Sequence, residues 1–223
     1  MIAFDPEAKD YDNWYSTKLG KFVDDIETKT SLHLLDPRKS MKILDVGCGT
    51  GNYSIKLSQL GCSVVGVDIS ENMLQIAKKK SAALNFDIKF LHGNSEELPF
   101  DDESFDAVIS ITAIEFFMNP GKSIKEMLRV IKKEGSLVIG TINKDSSWGK
   151  LYSTTYFKES TVFKYANFFN KEDLNNIEKD KLIQSRTCLF IPPDTKEGNI
   201  NMESETNLSK LNEGGFICCL WKK

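Results

Sequence analysis

The sequence predicts an α/β fold in which a mostly parallel sheet is wound on both faces by helices, and two observations carry that expectation. From Lys42 to Thr141, short β-branched runs alternate with amphipathic stretches, the signature of successive βα units. The first of those runs also leads directly into the glycine-rich stretch Asp45-Val46-Gly47-Cys48-Gly49-Thr50-Gly51. A glycine-rich turn at the carboxyl end of a central strand is where open α/β sheets bind ligands.

Taken in order, residues 7–35 read as helical, with Tyr11, Trp14, Tyr15, Leu19 and Phe22 as apolar or amphipathic positions. Strands are expected at Lys42–Val46, Ser63–Asp68, Asp87–His92, Phe105–Ser110 and Ser136–Ile142. Between them the apolar period changes to about 3.6. Tyr53, Leu57 and Leu60 share a face before Gly61 stops the helix, and Ser70 caps a second helix that turns Met73, Ile76 and Ala77 inward. Ile124, Met127, Leu128 and Ile131 form a third stripe, while Lys78 to Lys80 should lie on a solvated face. His33, among Leu32, Leu34 and Leu35, reads as helix packing. Beyond Ile142, the stretch Asn143 to Asn170 is crowded with aromatics, among them Trp148, Tyr152, Phe157, Phe163 and Phe168, and should cover something. Late strands are expected at Leu182–Phe190 and Gly215–Trp221, flanking a polar surface loop with Pro192, Pro193, Gly198 and Asn201.

Bulk properties narrow the partners. The chain has 223 residues and a formal net charge of −3, and it lacks the clustered basic face that phosphate binding needs, so no nucleic-acid partner is expected. Five cysteines without C-x-x-C spacing suggest neither a zinc site nor a disulfide framework, and no metal is expected. An acidic amino terminus and the lack of a long apolar run argue for a reduced, cytoplasmic protein with no membrane span.

The glycine turn carries the chemistry. Asn52 stands where the third glycine of G-x-G-x-x-G would be, which argues against a dinucleotide. Asp45 would repel a pyrophosphate and suits a ligand carrying an ammonium, or else binds the amides of the turn. Asp68 ends the second strand about 20 residues on, where a carboxylate can accept both hydroxyls of a ribose. The ligand reads as a nucleoside without phosphates.

Together these residues resemble the cofactor site of class I S-adenosylmethionine-dependent methyltransferases, whose turn is E/D-x-G-x-G-x-G. Three later segments carry the same resemblance: Gly93-Asn94-Ser95-Glu96-Glu97-Leu98-Pro99-Phe100, Phe105-Asp106-Ala107-Val108-Ile109, and Arg129-Val130-Ile131-Lys132-Lys133-Glu134-Gly135-Ser136-Leu137. Ala8-x-x-Tyr11-Asp12-x-Trp14-Tyr15 resembles the amino-terminal segment of the ubiquinone/menaquinone C-methyltransferase-like (type 11) group. The resemblance implies a Rossmann-like, seven-stranded sheet with the last strand antiparallel. It further implies a single domain over 1–223, with a helical cover at 1–40, a cofactor-binding core at 41–142, a lid at 143–181 and terminal strands at 182–223.

For the cofactor, the resemblance implies that Gly47 and Gly49 pass the methionine part, Asp68 holds the ribose, Ile69 touches adenine, and Asn94 and Ser95 meet its edge. Asn94 stands where the family commonly has Asp, keeping an acceptor but losing the charge. Ile111, Asp45, Met73 and the small filler Cys48 complete the expected cofactor set, with Tyr11 as the cover residue nearest the cofactor. The expected activity is in-line methyl transfer from S-adenosylmethionine to a small-molecule acceptor by a monomer or homodimer. Glu115, beside Phe116 and Phe117, is the expected base if one is used, with Tyr11 as a further catalytic candidate; His92, a strand-end histidine, is the lesser choice. A tRNA or protein methyltransferase working with a partner subunit, and a non-catalytic S-adenosylmethionine-binding module, are the alternatives.

Overall fold

The computed structural model describes residues 4–223, so the first three residues of the expected cover lie outside it. The elements follow in the order α1 (Lys18–Leu35), β1 (Lys42–Val46), α2 (Asn52–Gln59), β2 (Ser63–Asp68), α3 (Glu71–Ala83), β3 (Lys89–His92), β4 (Phe105–Ile111), α4 (Pro120–Val130) and β5 (Ile131–Ile142). The carboxyl half adds α5 (Ser147–Tyr152), α6 (Thr155–Ser160), α7 (Lys171–Asn175), β6 (Leu182–Cys188), α8 (Met202–Leu208) and β7 (Phe216–Lys222). The seven strands form one sheet in the order β3-β2-β1-β4-β5-β7-β6. The first five are parallel, and β7 runs antiparallel to both neighbours.

Strand order reverses between β1 and β4, so a crevice opens at their carboxyl ends, where the glycine turn emerges. Two apolar layers fix that frame. Ile43, Ala107, Ile109 and Val138 pack on one face under α1 and α2, while Leu44, Val108, Leu137 and Ile139 pack on the other under α4. Central strands buried on both sides read as continuous apolar runs, which is why β1 and β4 were legible. Among the described residues, no helix is long and apolar enough to cross a membrane.

Several boundaries differ from the sequence reading. The amino-terminal segment is not one helix. Tyr11–Ser16 forms a 3-10 turn, Thr17 is extended, and α1 starts at Lys18, with the Thr17 hydroxyl accepting from Gly20 N–H at 2.9 Å. The turn doubles back so closely that a Cβ on Gly20 would lie 2.0 Å from the Trp14 carbonyl oxygen. Leu60 points to solvent because α2 stops before it, and Ile131 is buried as the first residue of β5 rather than in α4. β5 begins five residues earlier than expected, pairing Ile131 with Phe105 before an irregular stretch to Ser136. β6 ends at Cys188, where Leu189 turns to φ 64°. The polar loop after it leads into α8, whose buried Glu205 accepts from Phe190 and Ile191 N–H. His33 is exposed on α1.

Candidate functional site

β1 delivers Asp45 and Val46 to the crevice, and Gly47 then turns the chain at φ 72°, a conformation that favours glycine. The Gly47 and Cys48 amides both donate to the Val67 carbonyl, fastening the turn to β2. Asp68, the last residue of β2, accepts from Gly49 N–H and Ser70 N–H, each at 2.8 Å. A carboxylate offers about four acceptor sites. Those two bonds therefore hold the glycine turn and the start of α3 together while leaving capacity toward the cleft. Burial pushes the Asp68 carboxyl up, and these amides oppose it. Asp45 is 2% exposed and accepts from Ser54 Oγ at 2.6 Å, so it binds the first turn of α2 rather than the turn's own amides. Its burial, partly countered by Ser54, sets its pKa at about 7.

One cleft contains Tyr11, Asp45, Gly47, Cys48, Gly49, Asp68, Ile69, Met73, Asn94, Ser95 and Ile111 in its wall. Their chemistry fits S-adenosylmethionine. The wall holds five carboxylates, Asp24, Glu27, Asp45, Asp68 and Glu96, and among the described residues no Lys, Arg or His. Such a wall repels phosphates and suits a ligand with positive charge. A Cβ on Gly49 would meet nothing within 4 Å, so the turn presents open space to a ligand there. Asn94 is exposed, its Oδ1 accepting from Glu96 N–H, while the buried Ser95 hydroxyl pairs with Ser123 at 2.9 Å. Neither side chain is wholly free for an adenine edge. His92 is exposed and is not among the residues that line the cleft.

The amino-terminal segment is latched over this cleft. Asp12 accepts from Thr50 Oγ1, Asn52 Nδ2 and Lys80 Nζ at 2.8, 3.2 and 2.7 Å, and Ser70 Oγ donates to Asp5 at 2.6 Å. Lys80 is thus a half-buried tie and not part of a solvated run, and the residue in place of a third glycine, Asn52, anchors the cover.

Beside the cleft lies an aromatic chamber of about 520 Å³, within the roughly 300–1,000 Å³ usual for small-molecule sites. Trp14, Trp148, Tyr152, Phe157 and Phe163 wall it, with Tyr152 and Phe163 stacked at 4.2 Å and Trp148 Nε1 fixed to the Ile191 carbonyl. Phe4, Tyr11, Tyr15, Glu27, Thr112 and Phe116 belong to both walls and form the boundary between cleft and chamber. Thr112 sits there at φ 48°, a strained setting for a β-branched residue of the kind found at functional sites. Burial raises the Tyr11 pKa, so its hydroxyl stays protonated.

Glu115 is placed differently from its expected role. It is 1% exposed and absent from both walls, and its Oε1 accepts from Ile142 N–H at 3.0 Å. Burial does raise its pKa, but the carboxylate tethers β5 and is not presented to either cavity. We expect Glu115→Ala to cost about 1–3 kcal/mol in denaturant unfolding by leaving the Ile142 amide unpaired. Glu115→Gln should keep most of the stability and the wild-type pH profile; a lost acidic limb would restore it as a base. Glu27 and Thr112 were not singled out from sequence, although an acidic pair at Asp24 and Glu27, one turn apart on α1, is visible in it.

Residues 44–139 match the model of the methyltransferase domain family. Over 220 residues, the chain is 34% identical to an uncharacterized protein of Methanocaldococcus jannaschii, covering 97% of each. It is 44% identical over 104 residues to a demethylmenaquinone methyltransferase of Staphylococcus aureus, a match that spans 45% of this chain and 43% of that enzyme, less than half its length. Among solved structures, an S-adenosylmethionine-dependent methyltransferase from Thermotoga maritima, described as a possible histamine N-methyltransferase, superposes with a TM-score of 0.77 at 28% identity, covering 99% of this chain and 98% of that one.

Proposed function

Given that the chain belongs to the class I S-adenosylmethionine-dependent methyltransferases, we propose that it methylates a small molecule held in the aromatic chamber. The observation that carries this reading is the shared wall of Tyr11, Glu27, Thr112 and Phe116, which puts the chamber next to the cofactor cleft. The two named relatives support it, because demethylmenaquinone and histamine are both small molecules.

S-adenosylmethionine supplies a methyl group already activated on a positively charged sulfur. The chain's own task is then alignment. Holding two reactants in line contributes up to about 7–11 kcal/mol to lowering a barrier. Asp68 would hold the ribose, Asp45 the ammonium end and Ile69 the adenine, while Gly47 and Gly49 let the backbone approach the methionine part. Tyr11 and Phe116 would close the reacting end against water, and the rings of the chamber would press the acceptor toward the shared wall.

The Asp45 pKa of about 7 gives this assignment a pH signature. Only the ionised carboxylate pairs with an ammonium, so binding below that value must expel a proton. Of the groups coupled to Asp45, the Cys48 thiol stays protonated because burial raises its pKa, whereas burial also raises Asp68 against its two amides, so the variant and not the wild type isolates Asp45. S-adenosylhomocysteine affinity should fall by up to about tenfold per pH unit below pH 7 and level off above it. Calorimetry in buffers of different ionisation enthalpy reads the proton directly, and Asp45→Asn should remove the share that Asp45 releases. A proton count unchanged in that variant contradicts the assignment.

The acceptor class is tested with radiolabelled S-adenosylmethionine and fractionated cell extract. Label is expected in the small-molecule fraction; label in RNA or protein alone overturns the reading.

A further inference from the structure

The chamber has a charge pattern that alignment of an arbitrary acceptor does not require. Three carboxylates bear on it: Glu7 and Asp10 at the exposed rim, and Glu27 deeper, on the wall shared with the cleft. Among the described residues, none of those lining the chamber is Lys, Arg or His. The cation that acts on Glu27, Lys56, is already engaged by Asp24 and Thr28. Glu27 itself makes no hydrogen bond and no ion pair among the described residues, although ring walls surround it. A partly buried carboxylate without a partner is costly unless a ligand supplies one. Aromatic faces attract cations as well.

Resting on the reading that the chamber holds the acceptor, we propose that this acceptor is an organic amine, bound as its ammonium with the nitrogen against Glu27, which takes the nitrogen's proton. The N–H bond breaks to Glu27, leaving a neutral nitrogen with a lone pair. That pair forms the new N–C bond as the methyl C–S bond breaks, and the bonding electrons stay on sulfur. The products are an N-methylammonium and S-adenosylhomocysteine, and Glu27 passes its proton to water.

Acidity suits the task. Burial first, then Asp24 and Glu115, push the Glu27 carboxyl up to about 8, against Lys56. The groups facing it from neighbouring elements are Tyr11 and Tyr15 of the cover, Tyr53 on α2, Tyr152 on α5, Cys188 on β6 and Cys218 on β7, phenols and thiols that burial keeps protonated. A general base works best with a pKa near the operating pH, and an arriving ammonium favours its ionised form.

The test is calorimetry on full-length protein saturated with S-adenosylhomocysteine, using phenethylamine and tryptamine against phenethyl alcohol and tryptophol. The amines should bind at least about tenfold tighter than their alcohols, and Glu27→Gln should erase that preference. Folding of the variant is checked independently. Because the folded pKa exceeds the unfolded value of about 4.3, Glu27 costs stability increasingly between that pH and about 8. The Tm of Glu27→Gln should therefore rise above wild type across that window. Alcohols binding as well as amines overturn the amine while leaving a small-molecule chamber intact. Equal loss of amine and S-adenosylhomocysteine affinity in Glu27→Gln assigns Glu27 to the cofactor and overturns its role here. No binding by any of the four probes removes the chamber as the acceptor site, and the proposed function falls with it.

Discussion

Asp68→Ala is expected to weaken S-adenosylhomocysteine binding by about a hundredfold or more, the largest single loss at this site. Two terms add. A ligand ribose bonded to a carboxylate loses charge-assisted hydrogen bonds of roughly 1.5–3 kcal/mol each. The Gly49 and Ser70 amides, each held at 2.8 Å, also lose their acceptor, so the glycine turn and the start of α3 are no longer fastened to each other. Asp68→Asn separates the two effects. It keeps one acceptor for an amide but loses the charge, and an intermediate loss of about tenfold is expected. Titration calorimetry on both variants checks this, and wild-type affinity in the alanine variant would remove Asp68 from the site.

Gly47→Ala should damage both stability and binding, whereas Gly49→Ala should damage mainly binding. Both residues have positive φ, which costs a side chain roughly 1 kcal/mol. They differ in what a Cβ would meet. At Gly47 it would lie 2.4 Å from the Ala113 Cβ, which is carried on backbone and cannot swing away. Overpacking of that kind adds about 1–3 kcal/mol, giving a total loss near 2–4 kcal/mol in denaturant unfolding. At Gly49 nothing lies within 4 Å, so the added methyl enters the space left for the ligand. Equal stability losses in the two variants would show that the turn is not packed as described.

The sequence signals that succeeded were local or periodic. β1 and β2 begin and end where the apolar runs do, and Ser70 caps α3 as its position before Glu71 suggests. The signals that failed depend on contacts between distant segments. Lys80 sits on the polar side of α3, and only the fold brings Asp12 across to it. Glu27 looks like a solvent-facing residue of an amphipathic helix until the amino-terminal cover and the aromatic insert close over it. Thr112 gives no hint of its positive φ, because a β-branched residue at a strand end reads as more strand. Glu115 was expected as a base from its apolar neighbours Phe116 and Phe117, and they gave no sign that its carboxylate faces the Ile142 amide. The break at Thr17 had a usable signal: threonine is a favoured N-cap residue, and the apolar pattern across it obscured that.

The most direct test of a cofactor cleft that opens on the aromatic chamber is a crystal structure with S-adenosylhomocysteine bound. The ribose is expected on Asp68 and the sulfur at the wall formed by Tyr11, Glu27, Thr112 and Phe116, with its former methyl direction open to the aromatic chamber. A sulfur turned away from that wall, so that no straight path joins it to the chamber, would contradict it.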